Sequence, residues 1–439
     1  MTTILKYIGS GSSKCGYCKS DVPSKTRIRV RALRLTGHCY ECLMYTGWRR
    51  CGNILYKLNM AETCCPAYTI RLNIEKFILR SSQRKLLRRI RNFLKTGSMP
   101  SNREYFKENV PLQVRSDITA KPSNRNQFIA LNEVGSRKAK YKRYMASRQR
   151  KLSRFSKEDV DLHFLKRKTA RVQKNRPKTL HELLEFSRDS HKHSLTFKLL
   201  RCNSERNVEF FKEEYQLYKK YQMEIHGDSE DSLTYMRFER FLISSCLESS
   251  TDTGDFDNPC QGAFHLQYWL DDKLIAVSVL DILLHSISSV YFFYDPDFGF
   301  LRLGVFASLF EIQLVKRYAA SCLPHLQYYC LGLYIDSCEK MRYKGQFFPT
   351  EILCPKSLTW HDLDSVRVKC NLSTYSIFSS TDSFTPVPID DLKIYRNRGV
   401  ISGREYLESN GNSANLMTKL SEIADYFGYS AVNKPLIYF

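Results

Sequence analysis

Cysteines are concentrated in the first 65 residues of this sequence, and thiolates are the protein ligands best suited to soft metal ions. They form two C-x2-C pairs, one adjacent pair and one single residue: Cys15 with Cys18, Cys39 with Cys42, Cys64 with Cys65, and Cys51. Two C-x2-C pairs separated by twenty residues are typical of a zinc ribbon, because each pair offers two thiolates from one tight turn. The same ligands bind iron–sulfur clusters, so the spacing predicts a metal site without identifying the metal.

A carboxylate interrupts the apolar run LIAVSVLDILL at Asp281, where a buried strand gains nothing from a charge. Such a group accepts a hydrogen bond from an amine, binds a guanidinium, or forms a structural ion pair at the end of a strand. His265, in the preceding apolar run, is either a base or a buried core histidine. Tyr291 adds a hydroxyl from the run SSVYFFYDP. These three side chains are the candidate catalytic residues.

A second set of hydroxyls and cations is suited to binding a substrate. Its members are Tyr268, Ser288, Ser289, Tyr294, Lys340, Arg342, Tyr343, Lys344 and Gly345. Hydroxyls donate hydrogen bonds to an oxyanion, and aromatic rings stack on nucleobases. The cations of the phrase CEKMRYKG suit carboxylates or phosphates. Core packing and plain surface charge are the alternatives for each of them.

Several phrases of the sequence closely resemble the arginyl-tRNA–protein transferases. They are CGYCKS, GWRRCG and CCPAYTIRL in the N-terminal part, and AFHLQYWL, LIAVSVLDILL, SSVYFFYDP and KMRYKG further on. The resemblance covers residues 14–95 and 205–354. It implies metal ligands at Cys15, Cys18, Cys64 and Cys65 in place of the zinc-ribbon set, while Cys51 remains an alternative ligand.

The resemblance implies a reaction in which arginine passes from the 3′ end of arginyl-tRNA to a protein amine. The acceptor protein begins with Asp, Glu or oxidised Cys, and its product is marked for ubiquitin-dependent degradation. The aminoacyl ester is already activated, so no covalent enzyme intermediate is needed. The enzyme must instead supply a neutral amine, stabilise an oxyanion and align both reactants. A cation should bind the acidic side chain of the acceptor.

Three β-branched and aromatic runs place the candidate residues on strands, with a turn at Asp271 and Asp272 between the first two. The next run, VFASLFEIQLVKRYAAS, has helical spacing, and QYYCLGLYI is a further strand. The order strand, strand, strand, helix, strand is expected for an acyltransferase core of the GNAT type, in the α/β (α+β) class. Alternation puts Tyr291 and Phe293 on one face of their strand and Tyr294 on the other.

The chain divides into three predicted segments. Residues 1–97 form a small Cys-rich domain that ends with a basic amphipathic helix in IEKFILRSSQRKLLRRIRNFLKTG, stopped at Gly97. Residues 98–179 are basic and nearly free of periodicity, which predicts a largely irregular linker with room for short helices. Residues 180–439 form the GNAT-like domain, near whose start NVEFFKEEYQLYKKYQMEIHGD predicts a long helix.

Composition narrows the range of partners and compartments. The net charge of +23 favours a polyanionic partner, nucleic acid first, over a merely solvated basic surface. Fifteen cysteines behind an N-terminus without an apolar signal segment predict reduced thiols in the cytoplasm, or also in the nucleus. LIAVSVLDILL is shorter than the ~20 residues that a membrane helix needs, so no membrane attachment is expected.

Two alternative functions stay open at this point. A metal-bearing RNA-binding protein without activity explains the charge and the cysteines but leaves the central block unexplained. Another aminoacyl-tRNA-dependent transferase would share the chemistry. An acetyl-CoA-dependent enzyme is disfavoured, because its pyrophosphate-binding loop needs more glycine than FLRLGVFASL offers, with Gly304 alone.

Overall fold

Two mixed β-sheets organise the part of the chain that the computed structural model describes. That part is residues 2–18, 20, 22–98, 139–186, 192–202, 204–249, 255–370, 375–379, 386–427 and 435–439. Residues 1–100 and 180–439 make up one compact unit, and residues 101–179 make up a second. No helix in the described ranges is both long and apolar enough to cross a membrane.

The first sheet has seven strands in the order β14-β13-β15-β1-β2-β4-β3. They are β1 (Ile4–Lys14), β2 (Pro23–Arg34), β3 (Arg49–Cys51), β4 (Ile54–Thr63), β13 (Lys393–Arg396), β14 (Gly399–Ser402) and β15 (Leu436–Tyr438). The second has eight strands in the order β12-β11-β5-β10-β9-β8-β7-β6. They are β5 (Tyr68–Asn73), β6 (Leu195–Arg201), β7 (Gly262–Leu270), β8 (Lys273–Ile282), β9 (Ser286–Tyr294), β10 (Tyr328–Tyr334), β11 (Thr350–Leu353) and β12 (Trp360–Asp362).

The α-helices pack on these sheets or join their strands, apart from two that belong to the second unit. They are α1 (Gly37–Met44), α2 (Ser81–Thr96), α3 (Ala139–Leu152), α4 (Lys157–Asn175), α5 (Leu180–Leu184), α6 (Val208–Tyr221), α7 (Tyr235–Phe238), α8 (Leu303–Ala320), α9 (Glu339–Arg342), α10 (Leu363–Cys370), α11 (Gly403–Glu408) and α12 (Ala414–Phe427). Two π-helical turns continue α6 and α7, over Gln222–His226 and Glu239–Ile243. Short 3₁₀ turns lie at Glu205–Asn207, Glu230–Ser232, Pro296–Leu301, Tyr343–Gln346 and Ile389–Asp391.

The predicted order of three strands, a helix and a strand is confirmed as β7, β8, β9, α8 and β10. Asp271 and Asp272 have φ values of 48° and 67°, and consecutive positive φ values are typical of a tight hairpin turn. The alternation predicted for β9 is confirmed as well. Tyr291 and Phe293 pack on the α6 face of the sheet, whereas Tyr294 packs with the core on the α8 face.

Segments far apart in the sequence share the eight-stranded sheet. β5, from the N-terminal part, lies between β10 and β11 and pairs antiparallel with both. The observed class is therefore mixed α/β with two sheets. The GNAT-like core, the separate Cys-rich domain and the boundaries at residues 97 and 180 stay predictions.

The structure differs from the sequence prediction in one predicted helix and in the segment predicted as a linker. The amphipathic helix begins at Ser81, seven residues after the first apolar position of the pattern, and ends as predicted at Gly97, whose φ is 69°. In the segment predicted as largely irregular, α3 and α4 are 14 and 19 residues long. Lys, Arg, Ala and Gln in this stretch favour helix locally even without an apolar face, and this explains the difference. Residues 98–138 of that segment lie outside the described residues, except for Ser98.

Candidate active site

Strands β9 and β10 separate part-way along their length, and the space between them is called the β9–β10 opening here. The strands pair in parallel only over Ser286–Ser288 and Tyr328–Cys330. Within two residues of the last pair each strand carries a β-bulge, at Val290 in β9 and at Leu331 in β10. Bulges bend a strand and increase its twist, so two opposed bulges keep the edges of the strands apart.

The amine of Lys344 lies in this opening. Its Nζ donates to the carbonyl oxygen of Leu333 at 3.2 Å. A Cβ on Gly332 would lie 3.8 Å from that Nζ and 3.4 Å from the carbonyl oxygen of Ser289, and the φ of Gly332 is +78°. Glycine tolerates this conformation, which brings the two backbones and the amine together. Burial, and then the nearby Arg49, lower the pKa of Lys344 to about 8.

Arg49 approaches the opening from the seven-stranded sheet. Its Nη2 donates to Gly332 O at 3.3 Å, and its Nη1 donates to the carbonyl oxygens of Met44 at 3.2 Å and Trp48 at 2.9 Å. Arg49 is 6% exposed, and its Nε has no hydrogen-bond partner among the described residues. A buried guanidinium with an unused donor is available to an anionic ligand.

Asp281 binds the next residue, Arg50. The Arg50 Nε donates to Asp281 Oδ2 at 2.7 Å, and its Nη2 donates to Oδ1. Both side chains are almost fully buried. Burial lowers the pKa of the Arg50 guanidinium, but the Asp281 carboxylate outweighs burial and raises that pKa. The bidentate geometry occupies both carboxylate oxygens, and this is the structural ion pair that the sequence left as an alternative. A role of Asp281 at the acceptor amine stays a prediction.

His265 is fully buried on the α6 side of β7. Its Nδ1 pairs with Glu214, and its Nε2 lies 3.1 Å from Leu242 O. Burial lowers the pKa of the imidazole, but the Glu214 carboxylate outweighs burial and raises that pKa well above its ordinary value. Both ring nitrogens therefore act as donors, as expected for the core-histidine alternative. Catalysis by His265 stays a prediction, and the structure gives it no open side.

A buried polar cluster lies under the opening, on the face of the sheet that α8 covers. Glu311 of α8 accepts hydrogen bonds from Ser278 at 2.6 Å, Tyr268 at 3.3 Å and Tyr329. Burial raises the pKa of Glu311, although these hydroxyls and that of Ser289 oppose the shift. Glu311 is not among the residues predicted from the sequence, although it is the only acidic residue of α8 and is therefore a visible signal.

Aromatic side chains line the outer part of the opening. Gln222 donates to the hydroxyl of Tyr291 at 2.7 Å, and the rings of Tyr221 and Tyr294 are 5.2 Å apart. A Cβ on Gly304, at the start of α8, would lie 3.8 Å from Tyr343 OH. Burial, then the Tyr221 and Tyr218 hydroxyls, raise the pKa of Tyr291. The raised pKa keeps the Tyr291 hydroxyl protonated rather than an anionic base, and in this contact its oxygen accepts from Gln222.

The remaining predicted residues divide into two groups. Lys340 donates to Ile225 O at 3.1 Å, in the turn after α6, while Arg342 is exposed. Ser288 is buried within the sheet opposite Asp281, and Gly345 is packed so closely that a Cβ would lie 2.9 Å from Leu363. The described contacts place Ser289 and Lys344 beside Gly332 at the opening, and Tyr343 beside Tyr294 and Glu311. Tyr291 and Lys340 instead contact the π-helical turn after α6, at Gln222 and Ile225.

A cavity of about 330 Å³ lies between the two sheets, and Arg49 and Leu333 contribute to its wall. Its other charged lining residues are Lys57, Lys356 and Asp425. Burial lowers the pKa of Lys57 to about 8, and its Nζ donates to Tyr426 O at 3.0 Å. The volume is in the range of small-ligand pockets, and cations outnumber acids in its lining. The cavity therefore suits an anionic group.

The four cysteines implied by the resemblance come together. The sulfur atoms of Cys15, Cys18, Cys64 and Cys65 all lie within 4.8 Å of one another. Tetrahedral thiolate sites have metal–sulfur bonds of ~2.3 Å, which correspond to sulfur–sulfur separations of roughly 3.8 Å. The donor set fits a metal ion, because a small inward shift of the more distant sulfur atoms would bring them to bonding distance. All four coordination positions would be filled by cysteine thiolates, which is typical of a structural metal site.

The other N-terminal cysteines lie elsewhere. Cys39 and Cys42 are on α1, and Cys51 is the last residue of β3. None of them belongs to the only metal-competent group found among the described residues. The zinc-ribbon set is therefore not the one that the fold assembles. Cys15 and Cys65 pack with Leu58 and Leu333, which also line the cavity. A bound metal would hold that wall in place.

We expect Cys18→Ser and Cys64→Ser to abolish metal binding, because each removes one of four ligands. Cys42→Ser is the matched control and should keep the metal. A ligand present at a thousand times its Kd stabilises the folded state by about 4 kcal/mol, so both ligand variants should melt earlier. Elemental analysis and thermal unfolding measure the two effects. Metal lost from the Cys42 variant and kept in the other two would favour the zinc-ribbon set.

Comparison with known proteins agrees with both parts of the site. Residues 13–85 match the family described as arginine-tRNA-protein transferase, N terminus, and residues 213–354 match its C terminus. Arginyl-tRNA–protein transferase 1 of Drosophila melanogaster is 35% identical over 421 residues, covering 85% of each chain. The chain belongs to the arginyl-tRNA–protein transferase family. It is therefore an aminoacyltransferase, and the resemblance seen in its cysteine and KMRYKG phrases is confirmed.

Further relatives extend the comparison. Arginyl-tRNA–protein transferase 2 of Arabidopsis thaliana is 31% identical over 475 residues, covering 86% of this chain and 78% of the relative. An aspartate/glutamate leucyltransferase of Acinetobacter baylyi is 39% identical over 142 residues, covering 32% of this chain and 44% of the relative. Similarity to family members thus spans most of the chain, whereas similarity to the leucyltransferase is confined to a shorter part.

Proposed function

We propose that this family member transfers arginine from arginyl-tRNA to proteins that begin with Asp, Glu or oxidised Cys, and that transfer takes place in the β9–β10 opening. Transfer of arginine from tRNA to protein N-termini is the family activity. The single observation that supports this place is the Lys344 amine, which bonds to Leu333 O beside Gly332 where the two strands separate. The product would be recognised downstream by ubiquitin-ligase machinery, in the cytoplasm or also the nucleus.

Acidic acceptors are favoured by the charge around the opening. Lys344 and Arg49 place two cations at the bulge of β10, and the adjoining cavity adds Lys57 and Lys356. A carboxylate or sulfonate gains most from such a site because charged hydrogen bonds in a buried pocket are strong. The leucyltransferase relative has aspartate and glutamate in its name. A shared acceptor class with a different donor amino acid explains why similarity to it is confined to part of the chain.

Residues of the opening would interact with both reactants, the acceptor protein and the arginyl ester. Lys344 would bind the acidic side chain of the acceptor and so direct its α-amine toward the ester. The Ser289 hydroxyl, which bonds Glu311 on the α8 face, would donate to the oxyanion that forms on the ester carbonyl. A catalytic role of Tyr291, whose ring packs on the α6 face, stays a prediction. Beyond Ser288 and Cys330 the facing edges of β9 and β10 are not paired with each other. An extended acceptor N-terminus would find main-chain partners there.

The four cysteines would hold zinc or an iron–sulfur cluster, since a set of four sulfur ligands suits either. The group would stabilise the fold of the N-terminal part when bound. The transfer chemistry is assigned to the side chains of the opening. Acetyl-CoA has no role in this scheme.

The test is a transfer assay with labelled arginyl-tRNA and matched peptides that begin with Asp, Glu or Ala. Label should move to the Asp and Glu peptides and remain at background with Ala. Equal labelling of all three peptides would contradict the proposed preference for acceptors that begin with an acidic residue. Binding of tRNA without transfer to any peptide, by protein with its metal in place, would favour an RNA-binding protein without activity.

A further inference from the structure

Helix α2 presents a face of positive charge that the proposed transfer reaction does not use. Between Ser81 and Thr96 the helix has no acidic residue. Its cations are Arg84, Lys85, Arg88, Arg89, Arg91 and Lys95, called the α2 basic face here. Lys85, Arg88 and Lys95 are exposed. In the described part of the chain, these three cations form no salt bridge.

The opposite side of α2 is firmly packed. Leu86, Leu87, Ile90, Phe93 and Leu94 are each at most 5% exposed and belong to the core on the α8 side of the sheet. A membrane-surface helix needs an exposed apolar face, and α2 has none to offer. The basic face is consequently suited to a partner that is bound by charge alone.

Both ends of α2 contact segments that border the β9–β10 opening. At the N-terminal end, Gln83 Nε2 donates to Gln346 O at 3.4 Å, two residues after Lys344. At the C-terminal end, the ring of Phe93 lies 5.3 Å from that of Phe300, four residues before Gly304 at the start of α8. The helix therefore lies alongside the segments that lead into the opening.

We propose that the α2 basic face binds the sugar–phosphate backbone of the donor tRNA next to its arginylated end. This inference rests on the proposed function, because it assumes that the ester enters the opening. Positions 85, 88 and 95 lie on one side of a helix and extend over about 15 Å, which is enough to follow several phosphates. Exposed cations displace condensed counterions from RNA on binding. Because Lys85, Arg88 and Lys95 form no salt bridge within the described ranges, the contact breaks no ion pair seen there.

The charge-reversal variant Lys85→Glu/Arg88→Glu/Lys95→Glu tests the surface. We expect its KM for arginyl-tRNA to rise about 10- to 100-fold while kcat stays within about threefold of the unmodified enzyme. The slope of log Kobs against log salt concentration should decrease by about 2 to 3, near 0.7 to 0.9 for each lost phosphate contact. Transfer from arginyl-adenosine, which lacks the RNA backbone, should remain unchanged.

Lys6→Glu/Lys14→Glu/Lys393→Glu is the matched control, because it makes the same change of net charge at exposed lysines of the seven-stranded sheet. Its KM for arginyl-tRNA should change by less than about threefold. An unchanged KM and salt slope in the α2 variant would overturn the proposal, as would equal effects in both variants. If the unmodified enzyme transferred no arginine, the proposed function would fail first. Even then, loss of tRNA binding in the α2 variant but not in the control would support tRNA binding by the α2 basic face.

Discussion

Asp281→Asn is expected to lower the free energy of unfolding by about 3–5 kcal/mol. The substitution leaves the Arg50 guanidinium buried without its counter-charge, and a buried charge that loses its partner is strongly destabilising. Both side chains are nearly inaccessible to solvent, so screening by water offers little relief. Urea unfolding followed by circular dichroism measures the change. A loss below about 1 kcal/mol would contradict the ion-pair interpretation.

A double variant that removes both charges distinguishes a structural role of the Arg50–Asp281 pair from a catalytic one. In Arg50→Met/Asp281→Leu no charge remains buried at this position, and such replacements are often neutral or stabilising. We expect the double variant to regain most of the stability lost in Asp281→Asn. Transfer activity should return with stability, since Arg49 and Lys344 remain in place. A stable double variant without activity would show that the Arg50–Asp281 pair serves the reaction as well as the fold.

The same ion pair shows what the sequence could and could not predict. Asp281 is conspicuous in the sequence, because a carboxylate in an apolar strand needs a partner. The identity of that partner depends on a contact across 231 residues of chain, which no local pattern contains. Both residues are in phrases that resemble the family, WRR and LDIL. The resemblance marked them as important without showing that they bind each other.

Local patterns were sufficient where local forces decide the structure. The Asp271–Asp272 turn, the end of α2 at Gly97 and the two faces of β9 all follow from residue preferences and alternation. The bulges at Val290 and Leu331 do not, because they depend on pairing with β8 and β5. The opening that they create, and with it the position of Lys344, was therefore beyond prediction from sequence.

The cysteine site required a resemblance in addition to spacing. By spacing alone, the pairs at Cys15 and Cys39 are equally good halves of a zinc ribbon. In the fold, Cys39 is on α1, whereas Cys64 and Cys65 directly follow β4 and return to the turn after β1. The pairing of β2 with both β1 and β4 brings these turns together. Long-range strand order, rather than the interval between cysteines, selects the ligands.

Lys344→Met is expected to lower kcat/KM for peptides that begin with Asp about 30- to 150-fold. The variant keeps most of the side-chain volume but loses a charged hydrogen bond, worth roughly 2–3 kcal/mol in a buried site. Transfer to a peptide beginning with Ala should stay at its background rate, so selectivity should fall as well. Lys369→Met, at an exposed lysine of α10, is the matched control and should change neither value. A large loss in the free energy of unfolding of Lys344→Met, with Lys369→Met unaffected, would show that Lys344 supports the fold rather than the acceptor.

The pH profile distinguishes a binding cation from a general base. The acceptor α-amine must be neutral, and its ordinary pKa of about 7.7–8.0 makes the rate rise with pH through that range. Lys344, with its pKa lowered to about 8, is protonated below that pH and loses its charge above it. If it binds the carboxylate as a cation, kcat/KM for Asp peptides should pass through a maximum near pH 8 and then fall. Lys344→Arg keeps its charge throughout this range, so the fall at high pH should disappear. An inactive arginine variant that folds normally would instead indicate that the neutral amine of Lys344 removes the proton of the acceptor.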